Sequence, residues 1–253
     1  VVPALLDLIL PPRCAGCGAW GATACPSCLA RLLGEPAPRP PDPAPPGLPD
    51  CWSATAYEGA ARRMILACKE RGRTALVPVL AASVATCVAA WQEAEAAPVT
   101  ETWLVPVPSA RAAVRRRGHD PVRAVATAAA RELRGQGLPA VLAPLLRQRR
   151  RVADQAGLSS PERAANLSGA FVVGDRLAGA LGPSHSGTGR GVGFRVVLVD
   201  DVVTTGATLA EAARALRAAG VAPAAAVTIA ATPRRVPYVA TRRKCRVADN
   251  HGW

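Results

Sequence analysis

The chain has 253 residues, half of them hydrophobic and 4% aromatic, which suffices for one α/β domain with a small appendage and excludes wholesale disorder. Thirty-one Lys and Arg against 18 Asp and Glu give a formal charge of +13, and Lys69 and Lys244 are the two lysines, so the basic surface is almost entirely guanidinium. Two accounts of that charge stand side by side: an anionic partner, phosphorylated small molecule or nucleic acid, whose oxygens arginine forks match, and simple base composition of the gene.

Residues 1–12 are apolar but carry Asp7 and no basic stretch, unlike a secretory signal. The uncharged run 74–92 is rich in alanine and interrupted by Pro78, Ser83 and Thr86, a poor membrane span. A cytoplasmic protein with reduced or metal-bound cysteines is therefore expected. Cys14-Ala-Gly-Cys17 and Cys25-Pro-Ser-Cys28 form two CxxC knuckles. Two facing knuckles complete a tetrahedral sulfur cage suited to structural zinc, with no open position for catalytic water; a redox pair or a disulfide is the alternative. Cys51, Cys68, Cys87 and Cys245 lack such spacing and read as ordinary small residues.

Residues 34–50 contain eight prolines. Such a stretch lacks amide donors and reads as a semi-rigid linker, so the expected units are a four-cysteine zinc module at 1–33, a linker at 34–50, a large domain at 51–240 and a basic tail at 241–253. In the large domain, 103–107, 195–199 and 225–229 are short apolar runs of the kind buried on both faces of a parallel sheet. Asp120-Pro121 caps a helix running through Val122, Val125, Ala129 and Leu133. A capping box from Thr208 to Glu211 opens another, through Leu209, Ala213 and Leu216 to Gly220. Strand, loop and capped helix in repetition give a doubly wound α/β fold. Residues 174–193, with seven glycines, read as a flexible loop.

The strongest chemical signal is 196–208, Val-Val-Leu-Val-Asp-Asp-Val-Val-Thr-Thr-Gly-Ala-Thr. Glycine lets amides approach an anion, threonine hydroxyls donate to it, and the helix N-terminus adds about half a positive charge. Asp200 and Asp201 would repel that anion unless they face sugar hydroxyls or a metal. The stretch resembles the phosphoribosyl-pyrophosphate (PRPP) motif of type I phosphoribosyltransferases. The resemblance implies that Asp200 and Asp201, the catalytic pair, bind the ribose hydroxyls, while Thr204, Thr205, Gly206, Ala207 and Thr208 hold the 5-phosphate. Val105-Pro-Val-Pro-Ser109 with Arg111 and Arg117-Gly118 looks like the pyrophosphate loop, which adds Ser109, Arg111 and Arg117 to the PRPP ligands. The order of knuckles, linker and these motifs resembles the ComF/GntX family, a type I phosphoribosyltransferase-like parallel sheet flanked by helices with an N-terminal zinc ribbon.

Two positions depart from that family: His119-Asp120-Pro121 stands where an aromatic residue, asparagine and glutamine are usual, and Lys69-Glu70 stands for Lys-Tyr. Such changes bear on substrate contacts more than on phosphate binding. The resemblance implies magnesium with PRPP, transfer of phosphoribosyl to an unidentified nitrogen acceptor with loss of pyrophosphate, and a flap at 147–166 over the site. Arg111, Arg115, Arg116 and Arg117 would clamp pyrophosphate, and Arg147, Arg149, Arg150 and Arg151 precede the flap; for each cluster a solvated basic face is the plainer account. The alternative to an enzyme is a PRPP- or nucleotide-binding module or a DNA-uptake accessory that contacts nucleic acid, and a homo-oligomer fits either.

Overall fold

The computed structural model describes residues 12–95, 101–150, 160–174 and 194–233. Residues 1–11, most of the glycine-rich 174–193 stretch and the basic tail lie outside the described residues, as do Arg151 and Cys245.

Behind the knuckles comes α1 (Pro26–Leu33), then the short strand β1 (Ala37–Pro38) and β2 (Asp50–Ala56). Helix α2 (Gly59–Arg71) and the long α3 (Val77–Glu95) return the chain to β3 (Glu101–Pro106). A seven-residue helix α4 (Arg111–Arg117) precedes α5 (Pro121–Gly135), β4 (Ala140–Leu142) and β5 (Leu146–Gln148). Helix α6 (Ser160–Leu167), β6 (Phe171–Val173), β7 (Phe194–Val203), α7 (Ala207–Arg217) and β8 (Pro223–Ala231) complete the described chain.

Six strands form one sheet in the order β1-β2-β8-β7-β3-β4, parallel throughout except for β1 at its edge. The three apolar runs are β3, β7 and β8, and their residues alternate between two cores as strand periodicity requires. Leu104, Val197, Val199, Val227 and Ile229 face Met64, Ile65, Trp91, Val125 and Leu133. Val105, Val196, Leu198 and Ala226 face Leu209, Ala213 and Leu216 of α7. Trp103 and Phe194 stack across the β3–β7 pair with centroids 4.0 Å apart.

Thr74–Glu95, mean hydropathy 1.8, is long and apolar enough to cross a membrane by length and composition, yet half of that window is buried inside the fold. Leu80, Val84, Val88 and Trp91 belong to the core of this face.

The proline-dense segment does not hang free between two bodies. Ala37 and Pro38 pair with Ser53 and Trp52 of β2, and the Arg39 amide donates to the Cys51 carbonyl at 2.7 Å. Proline is tolerated there because an edge strand needs donors on one side only. The knuckles are equally committed: Cys14, Cys28 and Leu32 share the core with Met64 and Trp91, Arg63 donates to the Gly16 carbonyl, and Ser83 Oγ donates to the Leu32 carbonyl at 3.3 Å.

Asp120 caps α5 as its sequence predicts, its carboxylate accepting the Arg123 amide at 3.3 Å with Pro121 in the first turn. The capping box at Thr208 does not form. Helix α7 starts at Ala207 with Gly206 as its cap residue, so Thr208 already lies inside the first turn, and Glu211 pairs with Arg214 at 2.7 Å instead.

Candidate functional site

Four sulfurs make a candidate metal centre. The Sγ atoms of Cys14, Cys17, Cys25 and Cys28 lie within 4.8 Å of one another, and Cys17 and Cys25 stand 3.7 Å apart. A zinc ion about 2.3 Å from each thiolate needs tetrahedral sulfur edges of about 3.8 Å. The donor set could therefore hold a metal ion such as zinc. Backbone amides of Gly16 and Cys25 point at Cys14 Sγ, at 3.4 and 3.3 Å. Burial pushes the Cys14 thiol up, but those donors and Cys17 outweigh it and bring it down to about 6; burial and the neighbouring thiols push Cys28 up to about 12. A dication bound there would neutralise these sulfurs. Cys51, Cys68 and Cys87 are buried thiols outside the cage, raised by their burial.

The second site is a cleft of about 650 Å³ at the carboxyl ends of β2, β3 and β7. From β3 the chain moves outward to β4 and from β7 the other way to β8, so the loops after β3 and β7 part at a topological switch point, where open α/β sheets take ligands. Strand lengths set the detail. β3 ends at Pro106 opposite Val199, and the Val107 amide still reaches the Val199 carbonyl at 2.9 Å. β7 runs on, with Asp200, Val202 and Val203 still paired to Thr228, Ala230 and Ala231 of β8. The acids sit within the strand rather than just after it, on a stretch with a neighbour on one side only.

There the carboxylates take over amides that β3 no longer reaches: Asp200 Oδ1 accepts from the Asp201 amide at 2.8 Å and Asp201 Oδ1 from the Val202 amide at 2.9 Å. Asp201 shares the side of Val197 and Val199 and meets Lys69 of α2, Nζ to Oδ2, at 2.5 Å. Burial, then the Asp201 charge, pushes the Asp200 carboxyl up to about 8 against the pull of Lys69. Burial alone would lower Lys69; Asp201 and Asp200 outweigh it and hold the ammonium above its usual value.

Of the residues singled out from the sequence, Asp200, Asp201, Thr204, Thr208, Ser109 and Arg117 line the cleft. Thr205, Gly206 and Ala207, in the loop between Thr204 and Thr208, are not among the residues that line it. Gly206 has φ 73°, and a Cβ there would meet Pro41 Cγ at 2.9 Å and Leu48 Cδ2 at 3.0 Å. The proline segment thus presses on the back of the loop, and Arg217 Nη1 ties it down through the Gly47 carbonyl at 2.6 Å. Arg111 is exposed and does not line the cleft, its amide bonded to Gln148 Oε1 at 3.3 Å; Arg116 lines it instead. Ser109 Oγ is held by Asp120 Oδ1 at 2.9 Å, so the capping residue of α5 also orients a cleft hydroxyl. His119 sits beside the head of α5, Nδ1 3.1 Å from the Arg117 carbonyl.

Sequence reasoning missed the wall formed by Tyr57, Leu66, Leu167 and Phe171, and the charge partners Lys69 and Glu70. Glu70 Oε1 takes Arg117 Nη2 at 2.7 Å. The one available signal was that Lys69-Glu70 is a place where the chain departs from the family it resembles. The segment expected as a flap is partly anchored: β5 pairs antiparallel with β6 in a second sheet, and Arg150 donates to the Asn166 and Ser168 carbonyls at 2.8 and 2.7 Å.

A family model, the phosphoribosyl transferase domain, matches residues 113–250. The chain belongs to that family. The match begins within α4 and takes in the acid pair and the threonine-glycine loop, while the cysteine cage and β2 lie outside it. A search of curated proteins returned no match.

Proposed function

We propose that the protein binds PRPP with magnesium in the 650 Å³ cleft and transfers its phosphoribosyl group to a nitrogen acceptor, releasing pyrophosphate. The observation that carries this is the convergence, on one switch point, of two strand-borne carboxylates, a threonine-lined loop at the head of α7 and an arginine-bearing loop after β3. Asp200 and Asp201 accept hydrogen bonds from the ribose hydroxyls. The Thr204–Thr208 loop and the unpaired first amides of α7 receive the 5-phosphate. Ser109 and Arg117 hold the pyrophosphate end.

Lys69 already neutralises Asp201, so the residues suit magnesium carried in on PRPP with its own waters better than a metal cage of protein oxygens. Magnesium bound in this way supplies charge neutralisation of the leaving pyrophosphate. Arg117 adds a fixed positive group where that charge develops, a contribution that preorganised sites make without reorganising. The apolar and aromatic wall of Tyr57, Leu66, Leu167 and Phe171 suits a planar nitrogen heterocycle as acceptor.

We assign the chain to the ComF/GntX type on its order of knuckles, proline segment and cleft motifs, working in the cytoplasm. Zinc in the four-cysteine module (1–33), the module boundaries (34–50, 51–240) and the basic tail (241–253) belong to the same proposal. The test is calorimetric titration of magnesium PRPP into the wild type and an Asp200→Asn, Asp201→Asn variant, followed by pyrophosphate release with a panel of bases. Saturable binding weakened at least about 100-fold in the variant is expected; a folded wild type that binds no PRPP refutes the reading.

A second reading, single-stranded nucleic-acid contact by the cysteine module, draws on Trp20, which is 57% exposed with the Arg13 guanidinium 3.9 Å over its ring. Exposed aromatics beside cations stack bases, and such binding falls steeply with salt. Salt-sensitive binding of an oligonucleotide, weakened by Trp20→Ala, supports this reading, and a flat salt response removes it.

A further inference from the structure

The last turn of α2 places two opposite charges in the cleft in succession. Lys69 lies against Asp201 and Glu70 against Arg117, so one dipeptide neutralises both polar halves of the site. The Glu70–Arg117 contact is one-pronged. Glu70 Oε1 takes Nη2, while Nε of the same guanidinium is buried with no acceptor among the described residues. A guanidinium edge offers Nε and Nη in parallel to two oxygens of one anion. Here half of that fork is filled.

Exposure separates the two partners. The Arg117 side chain is 11% exposed and fixed in the cleft wall; that of Glu70 is 42% exposed and stands at the solvent edge. A carboxylate in that position can swing into water without moving the helix, whereas the arginine stays. An anion with two oxygens at fork spacing satisfies the orphaned Nε as well as Nη2, which Glu70 does not do.

We propose that Glu70 is a specificity-determining residue of this cleft: an internal carboxylate that occupies the Arg117 fork by one prong and yields it to an incoming pyrophosphate group. The inference rests on the phosphoribosyltransferase reading for the nature of that group. Glu70 sets the affinity of the pyrophosphate half of the site and leaves the 5-phosphate half, at the Thr204–Thr208 loop, untouched.

The test is a titration of the full-length wild type and Glu70→Gln with three probes, magnesium pyrophosphate, magnesium PRPP and ribose 5-phosphate, repeated in an Arg117→Met background. Melting curves verify folding. Glu70→Gln is expected to tighten pyrophosphate and PRPP about fivefold, to leave ribose 5-phosphate unchanged, and to have no effect once Arg117 is Met. Equal tightening of all three probes, a gain that survives Arg117→Met, or no gain overturns the proposal. Failure of wild type and Glu70→Gln alike to bind PRPP overturns the underlying reading, and the role of Glu70 with it.

Discussion

The cysteine cage and the cleft are both built to face charge, and they do so in opposite ways. The cage takes its four ligands from fifteen consecutive residues, is closed by its own sulfurs and is welded to the core through Cys14, Cys28 and Leu32. The cleft draws its groups from Tyr57 just past β2, from α2, the loop after β3, α4 and β7, stays open, and pairs Asp201 with Lys69 and Arg117 with Glu70. A local site acts as a structural rivet, and a site assembled from distant segments can exchange internal partners for a ligand.

On the proposal that the cage holds zinc, stripping that metal is the severest way to break this contrast. With chelator, or with Cys28→Ser, the whole domain is expected to lose on the order of 4 kcal/mol, a fall in melting temperature of roughly 8–16 °C. Calorimetry should show one shifted transition rather than a separate small one, because the cage shares the main core. Two independent transitions would show the cage to be an appendage.

Gly206 sharpens the contrast from the cleft side. Alanine there faces both a left-handed φ of 73° and the Pro41 and Leu48 contacts, for a cost of about 2–3 kcal/mol. Alanine at Gly118, with φ 76° and nothing within 4 Å of its Cβ, should cost only about 1 kcal/mol. Chemical denaturation measures both. Equal costs would mean that the proline segment does not press on the loop.

The smallest effect is in pH. The Asp200 carboxyl is raised in the folded state to about 8, so it favours the fold while protonated in both states, at pH below about 4, and that contribution is lost as pH rises toward 8. Asn at this position carries no such dependence. Wild type should therefore lose stability relative to Asp200→Asn between pH 6 and 8, by about 1 kcal/mol once Lys69 and cleft water offset the repulsion, and the gap should level off above that range. Paired melting curves across pH 6–9 test it, and a constant gap would mean that Asp200 is ionised throughout.

Legibility from sequence followed the same division. The cage, the β3, β7 and β8 runs, the Asp120 cap and the acid-threonine loop were readable because each rests on residues close together in the chain. Strand pairing of Ala37 and Pro38 was not, since it depends on an edge of β2 that composition does not reveal. The capping box at Thr208 failed because Gly206 takes the cap position and starts the helix earlier. Glu70 and Arg117 are 47 residues apart, and nothing local to either foretells the other.

The overhang of β7 past the end of β3 carries a further consequence for exchange of amide protons. Up to Val199 the strand is held from both sides; beyond it, the Asp201 and Val202 amides depend on the carboxylates of Asp200 and Asp201. Protection against solvent deuterium should therefore drop within a single strand. On the proposed reading, a sugar that draws those carboxylate oxygens away would leave the two amides without their acceptors, so a ligand that rigidifies the rest of the cleft would leave Asp201 and Val202 exchanging faster, an inverse footprint at the point of contact.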